Sequence, residues 1–268
     1  MKRIKRYEES LFTVRFVGPD LDTVGVSIYD LGLTLVALQR LVHKAYLAKT
    51  DKVRKGAFPD KQRRQELALQ IGERRRESDA FGLIPIVTDP VVLQTLKYCA
   101  DAVFNGVVGY YSGKVLEKLR IEKNETKKLF IGSIYSEVTN IIGRVDSESQ
   151  IHGIELNAPS LPNARPLLFD EAKKEQINAL RNEHFLGETQ ELTGSVFKLY
   201  PNSGIVSIRV SKRGKCNVYL EQDLFDEIRY ARPDQSKVKF TGRPRYALGV
   251  ETKSITTFEA YLIQFVPG

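Results

Sequence analysis

The chain has 268 residues, 42% of them hydrophobic, so it is long enough for one large domain or two modest ones with a real core. This composition excludes wholesale disorder, and two cysteines are too few for a disulfide framework. A net charge of +8 favours polyanionic partners. No apolar segment follows the basic first residues, so we expect no signal peptide and a cytoplasmic protein.

The first part of the chain alternates predicted strands with one amphipathic helix. Alternating apolar residues predict a strand at Leu11–Val17. A leucine-rich stripe with helical spacing predicts a helix from an N-cap at Asp30 to about Ala48. Two further strands are predicted around Leu67–Ile71 and at Phe81–Val87.

A basic stretch lies between the helix and the second strand. Its second part, Lys49–Gln65, has no hydrophobic period and is predicted to be a loop, which is either a solvated mobile segment or a surface that follows a phosphate backbone. Tyr46 and Phe58 are candidate stacking groups beside it. The candidate nucleic-acid-binding residues here are Arg40, Lys44, Lys49, Lys52, Arg54, Lys55, Lys61, Arg63 and Arg64.

A long apolar helix is predicted from Thr88 to Arg120, with Asp89 as its N-cap and Pro90 at its first position. Small residues recur on one face of it, at Ala102, Gly106, Gly109 and Gly113. Because each glycine costs a helix about 1 kcal/mol, this seam predicts the close approach of another backbone, from the same chain or from a second copy. We therefore treat the four residues as self-association candidates. The alternative is that the glycines divide the segment into two helices.

The second half of the chain changes character. A helix at Ser133–Val145 and a strand at Ile151–Leu156 are followed by a proline-rich linker, Asn157–Pro166, and a polar helix, Asp170–Leu186. Short alternating strands separated by turns then come at close spacing, with one short helix at Asp223–Tyr230. These strands are predicted at Ser195–Leu199, Ile205–Val210, Lys215–Leu220, Lys237–Thr241 and Phe258–Phe265.

This order of elements predicts an α+β protein. Residues 1–156 are expected to form a β-α-β-β-α core domain around the long helix. Residues 157–188 form the linker and a bridging helix, and residues 189–268 form a small β-barrel-like module of the SH3 or OB type. Further basic candidates for nucleic-acid binding lie in this module, at Arg213, Lys215, Arg243 and Arg245.

The sequence offers little for catalysis. It has no phosphate-binding loop and no dinucleotide fingerprint, and its three histidines are too far apart for a zinc pattern, so we predict neither a cofactor nor a metal. Cys99 lies in an apolar run, where its thiol is expected to be inert. No catalytic residue is assigned, and whether the protein is an enzyme stays open, with a non-enzymatic role favoured.

The leucine-rich helix begins with Asp30-Leu31 and continues to Leu38-Gln39. This helix, the strands and apolar helix of the first 120 residues and the β module of the last 80 occur together in this chain. In that order of elements the chain resembles a group of uncharacterised bacterial proteins. Some of these are encoded near phage-defence or mobile-element genes. The resemblance implies a role in phage defence rather than in metabolism, and it carries no site residue across.

Three functions follow from these observations. The leading one is a binding or assembly protein that engages nucleic acid, or another polyanion, through its basic surfaces and forms homo-oligomers through the small-residue seam. The second is an effector that disturbs membranes through the helix at residues 91–119. The third is an enzyme whose site is assembled from scattered Asp, Glu and Arg residues.

Overall fold

A computed structural model of the chain describes residues 10–53, 56–75, 79–161, 164–210, 214–231, 237–249 and 255–266. It confirms the predicted α+β class, because two β-sheets are combined with helices. The buried apolar side chains form two separate cores, one for each sheet.

The first sheet has five antiparallel strands in the order β2-β3-β1-β4-β5. Alternate residues of the central strand β1, such as Phe12, Val14 and Phe16, point into the first core. The bounds of these strands are β1 (Phe12–Val17), β2 (Leu69–Arg75), β3 (Ala80–Pro85), β4 (Gly153–Asn157) and β5 (Leu167–Phe169).

Helices cover the face of this sheet that carries the apolar residues of β1, and α2, α4, α6 and α7 pack against one another there. The helices are α1 (Leu21–Val24), α2 (Ile28–Lys49), α3 (Lys61–Glu66), α4 (Pro90–Tyr111), α5 (Val115–Ile121), α6 (Glu125–Ser133), α7 (Tyr135–Ile142) and α8 (Glu171–Asn178).

Local capping explains where α2 and α4 begin. The predicted cap of α4 is confirmed, since the Asp89 carboxylate accepts the backbone N–H groups of Val91 and Val92, both at 3.0 Å. The predicted cap of α2 is wrong by one turn. Ser27 is the N-cap and accepts the N–H of Asp30 at 3.0 Å, while its hydroxyl donates to the Asp30 carboxylate at 2.6 Å.

The predicted single helix from Thr88 to Arg120 is two helices. The chain leaves the helical conformation after Tyr111, where Gly113 has a φ of 150° and Lys114 has a φ of 56°. Both values are costly for ordinary side chains, and glycine meets the first at no steric cost. The Lys118 ammonium donates to the Gly109 carbonyl at 2.7 Å and so satisfies one free acceptor at the end of α4.

Three other predicted boundaries change. The predicted loop at Lys49–Gln65 contains a helix, α3, which Asp60 caps by accepting the N–H of Arg63 at 2.8 Å. The predicted helix at Ser133–Val145 is confined to α7, and a separate helix, α6, precedes it. The proposed linker and bridging helix of residues 157–188 contribute β5 to the first sheet and β6 to the second.

The second sheet has the strand order β11-β9-β8-β7-β10-β6, with one further pairing between β11 and β10. Because β11 pairs with both β9 and β10, the strands β7, β8, β9, β11 and β10 form a partial ring around the second core. The elements are β6 (His184–Leu186), β7 (Gln190–Tyr200), β8 (Ile205–Val210), β9 (Gly214–Tyr219), α9 (Gln222–Ala231), β10 (Lys237–Ala247) and β11 (Thr257–Val266).

The long strand β10 connects the two cores. Its first half carries Val238 and Phe240 into the second core, whereas Tyr246 near its end belongs to the first. Tyr246 packs beside Phe185 of β6, with ring centroids 5.5 Å apart. Within the part of the chain that the structure describes, no helix is both long and apolar enough to cross a membrane.

Candidate nucleic-acid interface

The outer face of β7, β8 and β9 carries the most distinctive set of side chains in the molecule. Strand alternation decides which residues reach it. Val206 and Ile208 of β8 and Cys216 and Val218 of β9 are buried in the second core. The intervening side chains therefore point away from that core, and they are Ile205, Ser207, Arg209, Lys215, Asn217 and Tyr219, of which Ser207 is buried beneath its neighbours.

The strand register arranges these side chains in rows. Tyr200, Ile205 and Tyr219 are partners across the three strands and form one row. Lys198, Ser207 and Asn217 form the next row, in which the Ser207 hydroxyl donates to the Asn217 side chain at 2.5 Å. Arg209 and Lys215 are partners in the row beyond. Successive rows are two residues, or about 6.8 Å, apart.

A bulge in β7 adds an aromatic ring to this face. The register of β7 against β8 shifts between Val196 and Lys198, so two neighbouring residues, Phe197 and Lys198, are both exposed. Phe197 keeps 44% of its surface exposed and Tyr200 keeps 38%.

Each of the three rings on this face, Phe197, Tyr200 and Tyr219, has at least one cation close to it. The Lys215 ammonium and the Arg209 guanidinium lie 5.3 Å and 6.0 Å from the centroid of the Phe197 ring. The Lys198 ammonium lies 4.5 Å from the Tyr200 ring. The Arg245 guanidinium lies 4.2 Å from the Tyr219 ring. We call this set the aromatic–basic face, and its members are Phe197, Lys198, Tyr200, Arg209, Lys215, Tyr219 and Arg245.

The electrostatics of the face are visible in Tyr200. Its hydroxyl interacts with the Lys198 side chain, and this contact lowers the pKa of Tyr200 from its usual value. The Lys198 ammonium therefore favours the anionic form of Tyr200. The positive charges of the face, which are Lys198, Arg209, Lys215 and Arg245, favour the approach of phosphate groups.

The structure brings together only part of the basic set predicted in the C-terminal module. Lys215 and Arg245 belong to the aromatic–basic face. Arg243 lies two residues before Arg245 on β10, and its guanidinium donates to the Thr189 hydroxyl at 3.3 Å. Arg213 lies outside the described residues.

Several of the basic candidates between Arg40 and Arg64 have partners within the chain, and one of them is buried. Lys44 is buried, and its ammonium forms an ion pair with Glu137 while donating to the Ser133 carbonyl at 2.6 Å. It is a structural residue and does not belong to an exposed surface. Arg40 shares the same partner, with its Nε 3.3 Å from a Glu137 carboxylate oxygen.

Other members of this set also have partners on the chain. The Arg63 guanidinium bonds to Glu66 at 2.5 Å, whereas the Lys49 ammonium lies 4.6 Å from the exposed Tyr98 ring, a contact of the same kind as those of the aromatic–basic face. Phe58, a predicted stacking group, is exposed, and the Arg40 guanidinium lies 5.8 Å from its ring, so this pair has the same geometry as the ring–cation pairs of the aromatic–basic face. The exposed basic residues here are Lys49, Lys52, Lys61, Arg63 and Arg64, and Arg54 and Lys55 lie outside the described residues.

The four residues of the small-residue seam lie in four different environments. A Cβ atom added at Gly106 would lie 2.9 Å from the Ile131 side chain, so α6 packs closely there within the same chain, through side chains rather than through its backbone. Gly109 is exposed, and no described residue lies near its missing Cβ. Gly113 is at the break between α4 and α5, and Ala102 is half-buried. Self-association through this set stays a prediction.

Nucleophilic and metal chemistry find little support in the described residues. Burial raises the pKa of both cysteine thiols, Cys99 and Cys216, to about 12, which keeps them protonated and unreactive near neutral pH. No group of three or more His, Cys, Asp or Glu side chains within the described ranges is placed to hold a metal ion.

The aromatic members of the face are absent from the residues predicted from sequence. Phe197 lies in the run Val196-Phe197-Lys198-Leu199, where simple alternation puts Phe197 opposite Lys198. Only the bulge puts both on one side. Tyr200 and Tyr219 end their strands, and their partnership depends on the register of two hairpins.

Comparisons with known proteins place few constraints on this chain. No protein-family model matches it. No curated protein matches it either. Among solved structures, replication protein A of U. maydis bound to ssDNA is similar over 30% of this chain and 61% of that chain, less than two thirds of its length, with 17% sequence identity and a TM-score of 0.22.

Proposed function

We propose that the protein binds single-stranded nucleic acid on the aromatic–basic face. The observation that carries this proposal is the arrangement of Phe197, Tyr200 and Tyr219, each with a cation within 4.2–6.0 Å of its ring centroid. Proteins that bind single strands combine aromatic rings, on which bases stack, with positive charge that follows the backbone. Both elements are present on one surface.

We further propose that the C-terminal module is a small barrel of the OB type. Its five ring strands follow the order β7-β8-β9-β11-β10, with β9 parallel to β11 and α9 between β9 and β10. OB folds are five-stranded, partly open barrels that bind oligonucleotides on the face of their second and third strands. In this chain those strands are β8 and β9, which carry Arg209, Lys215 and Tyr219.

Single strands fit this face better than duplexes. In a duplex the faces of the bases are stacked on one another and cannot reach a protein ring, whereas the bases of a single strand are free to stack. The rows of side chains lie about 6.8 Å apart, so a base on one row leaves its phosphate close to the cations of the next. The proposal does not depend on base sequence, because every base has a face that can stack.

The two alternatives have weaker support. The segment at residues 91–119 comprises two helices, and Leu96, Cys99, Val103 and Val107 of α4 are buried in the first core. An effector that disturbs membranes through these residues would have to unpack that core. The other alternative, an enzyme whose site is assembled from scattered Asp, Glu and Arg residues, stays a prediction.

Fluorescence anisotropy tests the proposal. Labelled oligothymidylate, oligouridylate and a mixed-sequence duplex of equal length are titrated with the protein across a salt series. We expect both single strands to bind more tightly than the duplex, with affinities that fall as the salt concentration rises. The comparison of oligothymidylate with oligouridylate distinguishes DNA from RNA as the preferred strand. Equal or tighter binding of the duplex, or no binding, would refute the proposal.

A further inference from the structure

A cleft of about 630 Å³ lies between residues 116–128 on one side and residues 184–189 with Arg243 on the other. One wall comes from α5, α6 and the turn between them, and the other comes from β6, the turn between β6 and β7, and β10. Its volume is within the range of about 300–1,000 Å³ that ligand sites commonly occupy. The basic residues that line it are Arg120, Lys123, Lys128, His184 and Arg243.

The charge of this cleft is positive where it is open to solvent. Lys128 is buried, and its ammonium donates to the Leu186 carbonyl at 3.3 Å, so it supports the wall. Arg120, Lys123 and Arg243 are exposed. Two carboxylates line the cleft. Glu188 is exposed and offsets one of these charges, whereas one oxygen of Glu122 lies 2.8 Å from the Lys127 ammonium and accepts the Tyr110 hydroxyl at 2.5 Å.

The cleft also has an exposed apolar wall. Ile121 keeps 75% of its surface exposed at the end of α5, next to Arg120, and it lines the cleft together with Leu116. A surface that combines phosphate-binding cations with an exposed apolar side chain suits a nucleotide, which has a charged backbone and a flat, largely apolar base.

The cleft is next to the aromatic–basic face. Tyr219 on β9, Glu259 on β11 and Arg243 on β10 are successive partners in the sheet register. Only one strand therefore separates a ring of the face from a cation of the cleft, a distance of about 9.6 Å between the outer two strands. Arg245, which lies over Tyr219, is two residues from Arg243 on the same side of β10.

We propose that a single strand bound on the aromatic–basic face crosses β11 and β10 and continues into this cleft. Arg120, Lys123 and Arg243 bind its phosphates there, and Ile121 contacts a base. The inference rests on the proposed function and extends it, because the binding path then includes residues of both parts of the chain. It adds about one or two nucleotides to the length of strand that the protein covers.

A length series tests the extended path. Labelled oligothymidylates of about 4 to about 16 nucleotides are titrated against the wild-type protein and against the double variant Arg120→Glu/Lys123→Glu. We expect the variant to lose at least about tenfold in affinity for the longest oligonucleotide, as expected from two lost phosphate contacts, and to bind the shortest one unchanged. The matched control is Lys52→Glu/Lys61→Glu, which makes the same change in charge on exposed residues elsewhere.

A second variant is expected to raise the affinity, whereas the first lowers it. Glu259 is an exposed carboxylate between Tyr219 and Arg243 in the register, so a strand that crosses here meets its negative charge. Glu259→Gln is expected to raise the affinity for the longest oligonucleotide about twofold to fivefold at low salt. Since this change removes a charge from an exposed side chain, a gain in affinity cannot come from misfolding.

The outcomes separate the two proposals. If the wild-type protein binds no oligonucleotide of any length, both the proposed function and the extended path fail. If Phe197→Ala weakens binding while the Arg120/Lys123 variant binds every length as the wild type does, only the extended path fails. An equal loss at all lengths, or an equal loss in the Lys52/Lys61 control, also overturns it, because it reveals a general effect of charge.

Discussion

The Arg245 guanidinium lies 4.2 Å from the centroid of the Tyr219 ring, although the two residues belong to strands that β11 separates. The contact holds the long arginine side chain against the outer surface of the ring of strands. A cation held over an aromatic face interacts favourably with it and has lost much of its conformational freedom before a ligand binds. The pair is therefore prepared for a base and its phosphate.

Removing the aromatic rings should weaken binding of single strands. We expect Phe197→Ala and Tyr219→Ala each to lower the affinity for oligothymidylate by about fivefold to a hundredfold, since one stacked base contributes about 1–3 kcal/mol. The control is Tyr230→Ala on α9, a ring that is 77% exposed outside the face. Anisotropy titrations measure all three. An effect of Tyr230→Ala as large as the other two would contradict the assignment of the face.

Removing the cations of the face should change the salt dependence of binding. Each phosphate contact to a single strand contributes about 0.7 to the slope of log affinity against log salt concentration. We therefore expect Arg209→Gln/Lys215→Gln to reduce that slope by about 1.4. The double variant Lys52→Gln/Lys61→Gln, in the basic stretch of the first unit, should leave it unchanged. If only the Lys52/Lys61 variant reduces the slope, the nucleic acid binds to that basic stretch and not to the aromatic–basic face.

The sequence predicts elements well where the decisive interactions are local. Asp89 and Pro90 mark the start of α4 because a cap and its N–H partners are three residues apart or fewer. The strands of the second sheet were predicted from alternation and from turn residues such as Gly204, which has a φ of 61°. The α+β class follows from these elements alone.

The sequence does not predict the burial or exposure of a side chain when these depend on residues far away in the chain. Nothing near Lys44 reveals that it is buried, because its partner Glu137 is 93 positions away. Phe197 reaches the candidate site only through a bulge in β7, which alternation does not predict. A count of charges favoured the stretch from Arg40 to Arg64, whereas the structure gives several of those charges partners on the chain. The predicted role in phage defence stays a prediction, as neither the fold nor the comparisons bear on it.

The buried pair of Lys44 and Glu137 provides a stability test. Removing Lys44 leaves the buried Glu137 carboxylate with Arg40 as an ion-pair partner, so we expect Lys44→Met to lower the free energy of unfolding by less than the roughly 3–5 kcal/mol that a fully uncompensated buried charge costs. The double variant Lys44→Met/Glu137→Leu removes both charges and should recover most of that loss. Urea unfolding measures each protein. If the double variant is less stable than Lys44→Met, the ion pair stabilises the fold more than its apolar replacement does.

Two glycines of the seam should respond in opposite ways. Gly106→Leu forces a side chain against Ile131 and Phe130, and we expect a loss of about 1–3 kcal/mol. Gly109→Ala puts a good helix former at an exposed position of α4 and should add up to about 1 kcal/mol. Thermal unfolding measures both. Sedimentation of Gly109→Leu tests self-association, since an unchanged profile shows that this position is not in an interface.

His43 should make the stability of the protein depend on pH. Burial, together with the nearby charges of Arg64 and Arg40, lowers the pKa of His43 from 6.5 to about 4. Between these values the unfolded chain binds a proton that the folded chain does not, so the free energy of unfolding falls as the pH falls from 6.5 towards 4. His43→Gln cannot take up this proton. Urea unfolding of both proteins at several pH values across this interval should therefore show a steeper loss for the wild type, and parallel curves would show that His43 titrates normally in the folded protein.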